Sequence, residues 1–256
     1  MPRSQFCWIL LAIVGFTNRC HAQTTAPVGS RTGFTEPPGP VLAGRVTTLT
    51  GLRLTSGGGT RQVGVGEVQI LIPQRQGSEL QIGLNSYGWT RGDGGDRSGF
   101  EDASIGVKQL IARRSRTVGF GRPDIGWVAS TTLSTGGHAY GAAKAQPSMK
   151  LAAAWDLSRN VALISNLGYT HTCVNDEQFG QLFGSLWLGH QLSKRSGLFV
   201  EGYGFLPFRS VVSDSQYVNL GVTYRINNDN CLDFQVGKGI GGDTSTTVRV
   251  GLARRW

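Results

Sequence analysis

The chain has 256 residues, of which 38 are Gly, with 16% charged and 39% apolar side chains and a formal net charge of +9. Its one long apolar run, Phe6 to Phe16, is 11 residues long, which falls short of the roughly 20 that a membrane-spanning helix needs and excludes a helical span. A basic balance raises nucleic acid, membrane lipid and anionic ligands as partners.

The run from Phe6 to Phe16 has the size of a signal-peptide core, Arg3 supplies its positive flank, and Cys20-His21-Ala22 places small residues where a signal peptidase reads. Cleavage is expected after Ala22, and export argues against nucleic acid as a partner. Thr17-Asn18-Arg19 lacks the small apolar lead-in of a lipoprotein signal. Loss of residues 1–22 leaves 23 basic and 16 acidic residues, a balance of +7, and two cysteines, Cys173 and Cys231. Residues 23–42 are rich in Thr, Gly and Pro without a period, which predicts a flexible periplasmic arm. A plug entering a barrel lumen is the alternative for the same segment.

From Ala43 to Trp256 the chain alternates apolar and polar residues in twelve stretches. They lie near 44–55, 63–73, 78–90, 100–112, 124–134, 148–157, 160–171, 179–192, 197–207, 216–226, 231–240 and 246–256. Each has the length of a tilted transmembrane strand, and an even number suits an antiparallel up-and-down barrel with both termini periplasmic. Ten or fourteen strands fit the pattern as well. The clearest lipid faces are Val68/Ile70/Ile72, Leu80/Ile82/Leu84, Ala103/Ile105/Val107 and Met149/Leu151/Ala153. Trp155, Tyr224 and Trp256 fall at the periplasmic edge as membrane anchors, and Trp89, Phe100, Tyr169 and Tyr217 fall at the outer one. Alternating connections are short on the periplasmic side and long outside, except 113–123, which is long. In this topology Cys173 and Cys231 sit at opposite ends, beyond disulfide reach, so two free thiols are expected.

Charge sorts by position. The periplasmic turns carry Arg75, Arg113, Arg114, Arg116, Arg122, Arg159, Lys194 and Arg195, joined by Arg254 and Arg255, a ring suited to lipid phosphates. Inward positions hold Arg53, Lys108, Lys150, Arg225 and Arg249 beside Glu67, Glu79, Asp102, Glu201 and Asp233, with Asn85, Asn166, Asn219 and Gln235 among them. This set reads either as ion pairs that make a charged interior foldable or as a solute path. In the stretch 179–192, both Leu182/Leu186/Leu188 and Phe179/Phe183/Trp187 are apolar, so one set faces inward, as an aromatic patch for solute or as packing for the arm. The residues assigned to the lumen path are thus Asp102, Lys108, Asn166, Glu201, Arg225, Asp233, Arg249, Phe183 and Trp187. Gly237-Lys238-Gly239-Ile240-Gly241-Gly242 follows a strand and precedes another, so no helix N-terminus is there to hold a phosphate. His138, His171 and His190 form no triad with a serine, and neither cysteine has a partner at zinc-ligand spacing. No catalytic residue, metal or cofactor is assigned.

Several motifs resemble a known family in order: Gly99-Phe100-Glu101-Asp102-Ala103-Ser104-Ile105-Gly106-Val107-Lys108, Leu133-Ser134-Thr135-Gly136, Asn166-Leu167-Gly168-Tyr169, Phe199-Val200-Glu201, Asn219-Leu220-Gly221-Val222-Thr223-Tyr224-Arg225 and Leu232-Asp233. They are similar to the outer-membrane transporters of the MetA pathway of phenol degradation family over roughly residues 44–256. The resemblance implies a small outer-membrane barrel that passes aromatic or other hydrophobic compounds, with Asp102, Lys108, Glu201 and Asp233 as polar lumen residues. Its partners would be membrane lipids, the barrel assembly machinery and a small-molecule solute. A non-conducting structural or adhesion barrel is the alternative.

Overall fold

The computed structural model describes residues 33–41, 44–113, 118–174, 177–208 and 212–256. The expected signal peptide, the first part of the arm, Arg114 and Arg116 lie outside the described residues. Fourteen strand segments follow one another: β1 (Thr47–Gly57), β2 (Thr60–Pro73), β3 (Ser78–Leu84), β4 (Tyr87–Arg91), β5 (Arg97–Phe100), β6 (Ser104–Ala112), β7 (Asp124–Thr132), β8 (Gln146–Asp156), β9 (Val161–Val174), β10 (Glu177–Gln191), β11 (Ser196–Pro207), β12 (Ser215–Arg225), β13 (Asn230–Gly241) and β14 (Thr246–Arg255).

Two of the barrel's staves are interrupted. β2 pairs with β3 over Val68 to Pro73 and with β4 over Arg61 to Val65, so β3 and β4 are halves of one stave. β5 and β6 are halves of the next, against β4 and β3. The break is held by side chains: the Asn85 amide donates to the Glu101 carbonyl at 2.6 Å, and the Ser86 hydroxyl donates to the Glu101 carboxylate. Counted as staves, the segments number twelve. β1 pairs antiparallel with β14 from Thr47↔Arg255 to Ser56↔Thr246, which closes the barrel.

Period-two patterning decides which face each side chain takes. In β13, Cys231, Asp233 and Gln235 are buried while Leu232, Phe234 and Val236 are exposed. The same holds around the wall: Leu52, Ile105, Met149, Leu151, Leu167, Leu186, Leu220 and Val250 are exposed, whereas Glu79, Lys108, Asn166, Glu201 and Asn219 are buried. A greasy exterior around a polar interior is the inverse of a water-soluble protein and suits a barrel set in lipid.

The rim where β1 begins and β14 ends is the terminal rim, the opposite one the loop rim. Trp256 closes the terminal rim. Its backbone N–H donates to the Val46 carbonyl at 2.9 Å, its indole N–H donates to the Thr48 hydroxyl at 2.9 Å, and the Arg254 guanidinium lies 4.0 Å over its ring. Trp155 is on the same face of β8 as the exposed Met149 and Leu151, and Tyr224 is exposed on β12. Cys173 ends β9 near the loop rim, Cys231 begins β13 at the terminal rim, and both are free thiols.

One expectation is corrected. Residues 33–41 of the arm lie inside the barrel, where their backbone bonds to the wall residues Asn166 and Glu201. The physical reason is width: a twelve-stave lumen exceeds what wall side chains alone fill. Val41 packs on the buried cluster Leu49, Leu71, Cys231 and Ala253, and so anchors the segment near the terminal rim. Gly126 of β7 makes room for it, since a Cβ there would stand 2.2 Å from the Pro38 carbonyl oxygen.

The separation of the two thiols predicts that the purified chain, denatured without reductant, takes up alkylating reagent at both Cys173 and Cys231. A Cys173–Cys231 crosslinked peptide in the non-reduced digest would contradict this strand order.

Candidate functional site

Strand register places the lumen groups in two rungs. Glu79 pairs with Lys108, Lys108 with Val128 and Val128 with Lys150, so both lysines and the glutamate share one row. That row continues through Gly168 and Phe183 to Phe205. The adjacent row runs Asn166, Ser185, Tyr203, Tyr217.

The arm lies along this second row, one residue per stave. Asn166 meets Glu36 like a strand neighbour: its carbonyl oxygen accepts the Glu36 N–H at 2.7 Å and its amide donates to the Glu36 carbonyl at 2.8 Å. The Thr35 hydroxyl donates to the Ser185 hydroxyl at 2.9 Å. Phe34 stacks on Tyr203, with centroids 4.6 Å apart and planes at 10°, while Phe183 and Phe205 stand edge-on at 5.4 and 5.3 Å. The Glu201 carboxylate accepts the N–H groups of Phe34 at 2.9 Å and Thr35 at 2.5 Å, and the Asn219 amide at 2.6 Å.

Glu36 is the electrostatic centre. Its carboxylate lies 2.9 Å from Lys108 Nζ and 2.6 Å from Lys150 Nζ, and it accepts the Gln81 amide. Lys108 also meets Glu79 at 3.2 Å. Lys108 is 1% exposed and Glu36 3%. Charges this deep persist only when paired, because desolvation costs several kcal/mol per ion. Arg53, bridging Glu67 at 3.1 Å and the Glu101 carboxylate, is a second wall-to-wall pair.

Two cavities of about 490 and 350 Å³ open above the arm toward the loop rim, and Phe34 and Arg249 line both. The larger is otherwise polar, with Gln69, Gln81, Ser130, Thr170 and Lys150. The smaller is bounded by Tyr203, Phe205 and Tyr217. Below lies a smaller pocket at the terminal rim, about 90 Å³, lined by Trp187, Phe199, Arg225 and Cys231. At the loop rim, burial works against the Asp243 carboxylate, but hydrogen bonds from Ser245 and Tyr217 outweigh it and hold its pKa below the usual value.

Of the residues expected to line a solute path, Lys108, Asn166, Glu201 and Phe183 converge on the arm. Arg249 lines the two upper cavities, Trp187 and Arg225 line the terminal-rim pocket, and Asp233 is buried on β13. Trp187 stacks on Phe199 at 5.8 Å and 26°. Asp102 is a correction: its carboxylate accepts the backbone N–H groups of Thr135, Gly136 and Ala142 at 3.1, 2.8 and 2.8 Å, and so holds the β7–β8 connection. It falls in the break between β5 and β6, where alternation no longer dictates direction. Phe34, Thr35 and Glu36 were missed because the arm has no period to read.

A closed antiparallel barrel with a lipid-facing exterior and an occupied polar lumen is the fold of bacterial outer-membrane proteins. The chain belongs to the family described as "Putative MetA-pathway of phenol degradation", whose model matches residues 23–254. Among solved structures, it is similar to the COG4313 outer membrane channel from Pseudomonas putida F1, at 12% identity and a TM-score of 0.71, over 86% of this chain and 98% of that one. It also resembles the NanC porin at 7% identity and TM-score 0.58, covering 83% and 100% of the two chains, and the KdgM porin in complex with disordered oligogalacturonate at 11% and 0.54, covering 82% and 99%. No curated protein sequence matches.

Replacing Glu36 by Gln removes the acid that Lys108 and Lys150 share. The variant should lose about 3 kcal/mol of unfolding free energy, the low end for breaking a buried ion pair, because withdrawal of the arm lets water reach the lysines. Urea unfolding in detergent micelles measures it, and an unchanged midpoint would show that the carboxylate adds nothing net.

Proposed function

We propose that this chain is a channel of the bacterial outer membrane for small solutes, reached after cleavage of residues 1–22, and that its own N-terminal arm closes the lumen in the state described. The observation that carries this reading is the arm's position: it forms the floor of two loop-side cavities and, where it crosses the lumen, is held by hydrogen bonds, ion pairs and the stacked ring of Phe34, with no covalent tie to the wall. Each ion pair near 3 Å contributes about 5 kcal/mol of attraction at an effective dielectric of 20, against a desolvation penalty of similar size. Such an attachment is reversible.

The solutes favoured by the lining are aromatic. Phe183, Tyr203, Phe205 and Tyr217 form a continuous inward aromatic patch beside the polar row of Lys108, Lys150 and Glu79. The family description, which names phenol degradation, supports the same choice. The basic terminal rim, with Arg75, Arg113, Arg122, Arg159 and Arg195, would meet lipid phosphates, and Trp256 with Arg254 stacked on it would set the barrel's depth. Insertion would depend on the barrel assembly machinery. The rival reading is a non-conducting barrel whose lumen is permanently filled, favoured by the near-complete burial of Lys108 and Glu79.

Planar-bilayer conductance separates the two. The full mature chain should pass little current, and a chain lacking residues 23–42 should pass severalfold more. No current in either form would sink the channel.

A further inference from the structure

We propose that the lumen holds a binding site for aromatic carboxylates, and that Phe34-Thr35-Glu36 occupies this site as an internal stand-in for the ligand. The proposal rests on the channel reading and specifies its solute. Two recognition elements stand side by side on the wall. One is a slot for a flat ring, formed by the face of Tyr203 and the edges of Phe183 and Phe205, with Tyr217 stacked behind Tyr203 at 4.8 Å. Such stacked and edge-on arrangements favour an aromatic ring over an aliphatic group of equal area. The other is a carboxylate seat formed by Lys108, Lys150 and Gln81.

The charge balance of the wall requires an anion in that seat. Lys108 retains Glu79 when the arm leaves, but the one ion pair of Lys150 among the described residues is with Glu36. Two ammonium groups then face one carboxylate. The unbalanced charge is met by Glu36 or by an acid from outside, and the two compete. Glu36, Lys150 and Gln81 border the 490 Å³ cavity, Tyr203 and Phe205 border the 350 Å³ one, and Phe34 lines both, so a solute arriving from the loop rim meets the carboxylate seat through the larger cavity and the ring slot through the smaller.

Spacing narrows the ligand. Ring and carboxylate are carried two residues apart in the chain, a backbone separation of at most about 7 Å. An acid whose ring and carboxylate are separated by a short carbon chain, such as an arylpropionate, spans both elements. Competition of this kind also supplies a reason for the arm to move, because a ligand shifts a closed state only through groups that the closed state occupies.

The test is calorimetric titration of the full mature protein in detergent with 3-phenylpropionate and with the neutral 3-phenylpropanol. Glu36→Gln should bind the acid about tenfold more tightly than the unmodified chain does and leave the alcohol unchanged. Lys150→Met in that background should remove the gain. Phe34→Ala keeps every ion pair and so preserves the fold should Glu36→Gln fail to assemble; it should also tighten the acid, by freeing the ring slot. Equal gains for acid and alcohol, or no binding in any variant, overturn the proposal. Conductance of the same proteins separates the two failures: binding without current leaves the site and removes the channel, whereas current without binding leaves the channel and removes the site.

Discussion

The structure depends on one carboxylate that the barrel wall does not itself provide. Lys108 and Lys150 lie on the same rung, separated by β7, and Glu79 satisfies only the first of them. In a wall surrounded by hydrocarbon an ammonium without an acid is costly to fold. Glu36, brought in from outside the barrel sequence, resolves this, and the rest of the arm follows from it. Asn166, Ser185 and Tyr203 are spaced along the next rung to receive Glu36, Thr35 and Phe34 in turn.

The barrel itself was legible because its rule is local. Alternation sets the face of each residue, so Leu232, Phe234 and Val236 announce their neighbours Asp233 and Gln235 as inward without knowledge of any other strand. The strand count and closure followed from the same pattern, and so did the separation of Cys173 from Cys231. Where the pattern lapses, position was lost. Asp102 sits in the gap between β5 and β6 and turned out to hold a loop. The arm was illegible for a deeper reason: its conformation is imposed by partners 130 and more positions away, such as Asn166 and Glu201. Nothing in Gly33-Phe34-Thr35-Glu36 alone specifies that contact.

The doubly apolar strand β10 shows how much a partial reading contains. Its two hydrophobic faces left open whether Phe183 served a solute or the arm. The structure has Phe183 against Phe34, so packing for the arm is the role it shows, and a solute would need the same surface. Arg254 is stacked on Trp256 and so adds a cation to the indole where lipid headgroups are expected.

The same balance of forces that closes the lumen limits how firmly it is closed. Most of the arm's contacts are of the kind that water or a solute replaces at little net cost: amide to carboxylate at Glu201, amide to amide at Asn166, ammonium to carboxylate at Glu36. Hydrogen bonds of this sort contribute about 1 kcal/mol each once the competing water is counted. A permanent filler would be expected to bury apolar surface, as Val41 does on Leu49 and Leu71 near the terminal rim. Apolar packing thus anchors the arm at Val41, and exchangeable polar contacts together with the Phe34 ring hold it where it crosses the lumen. A segment hinged at one end and latched at the other is suited to open from the loop side while remaining attached.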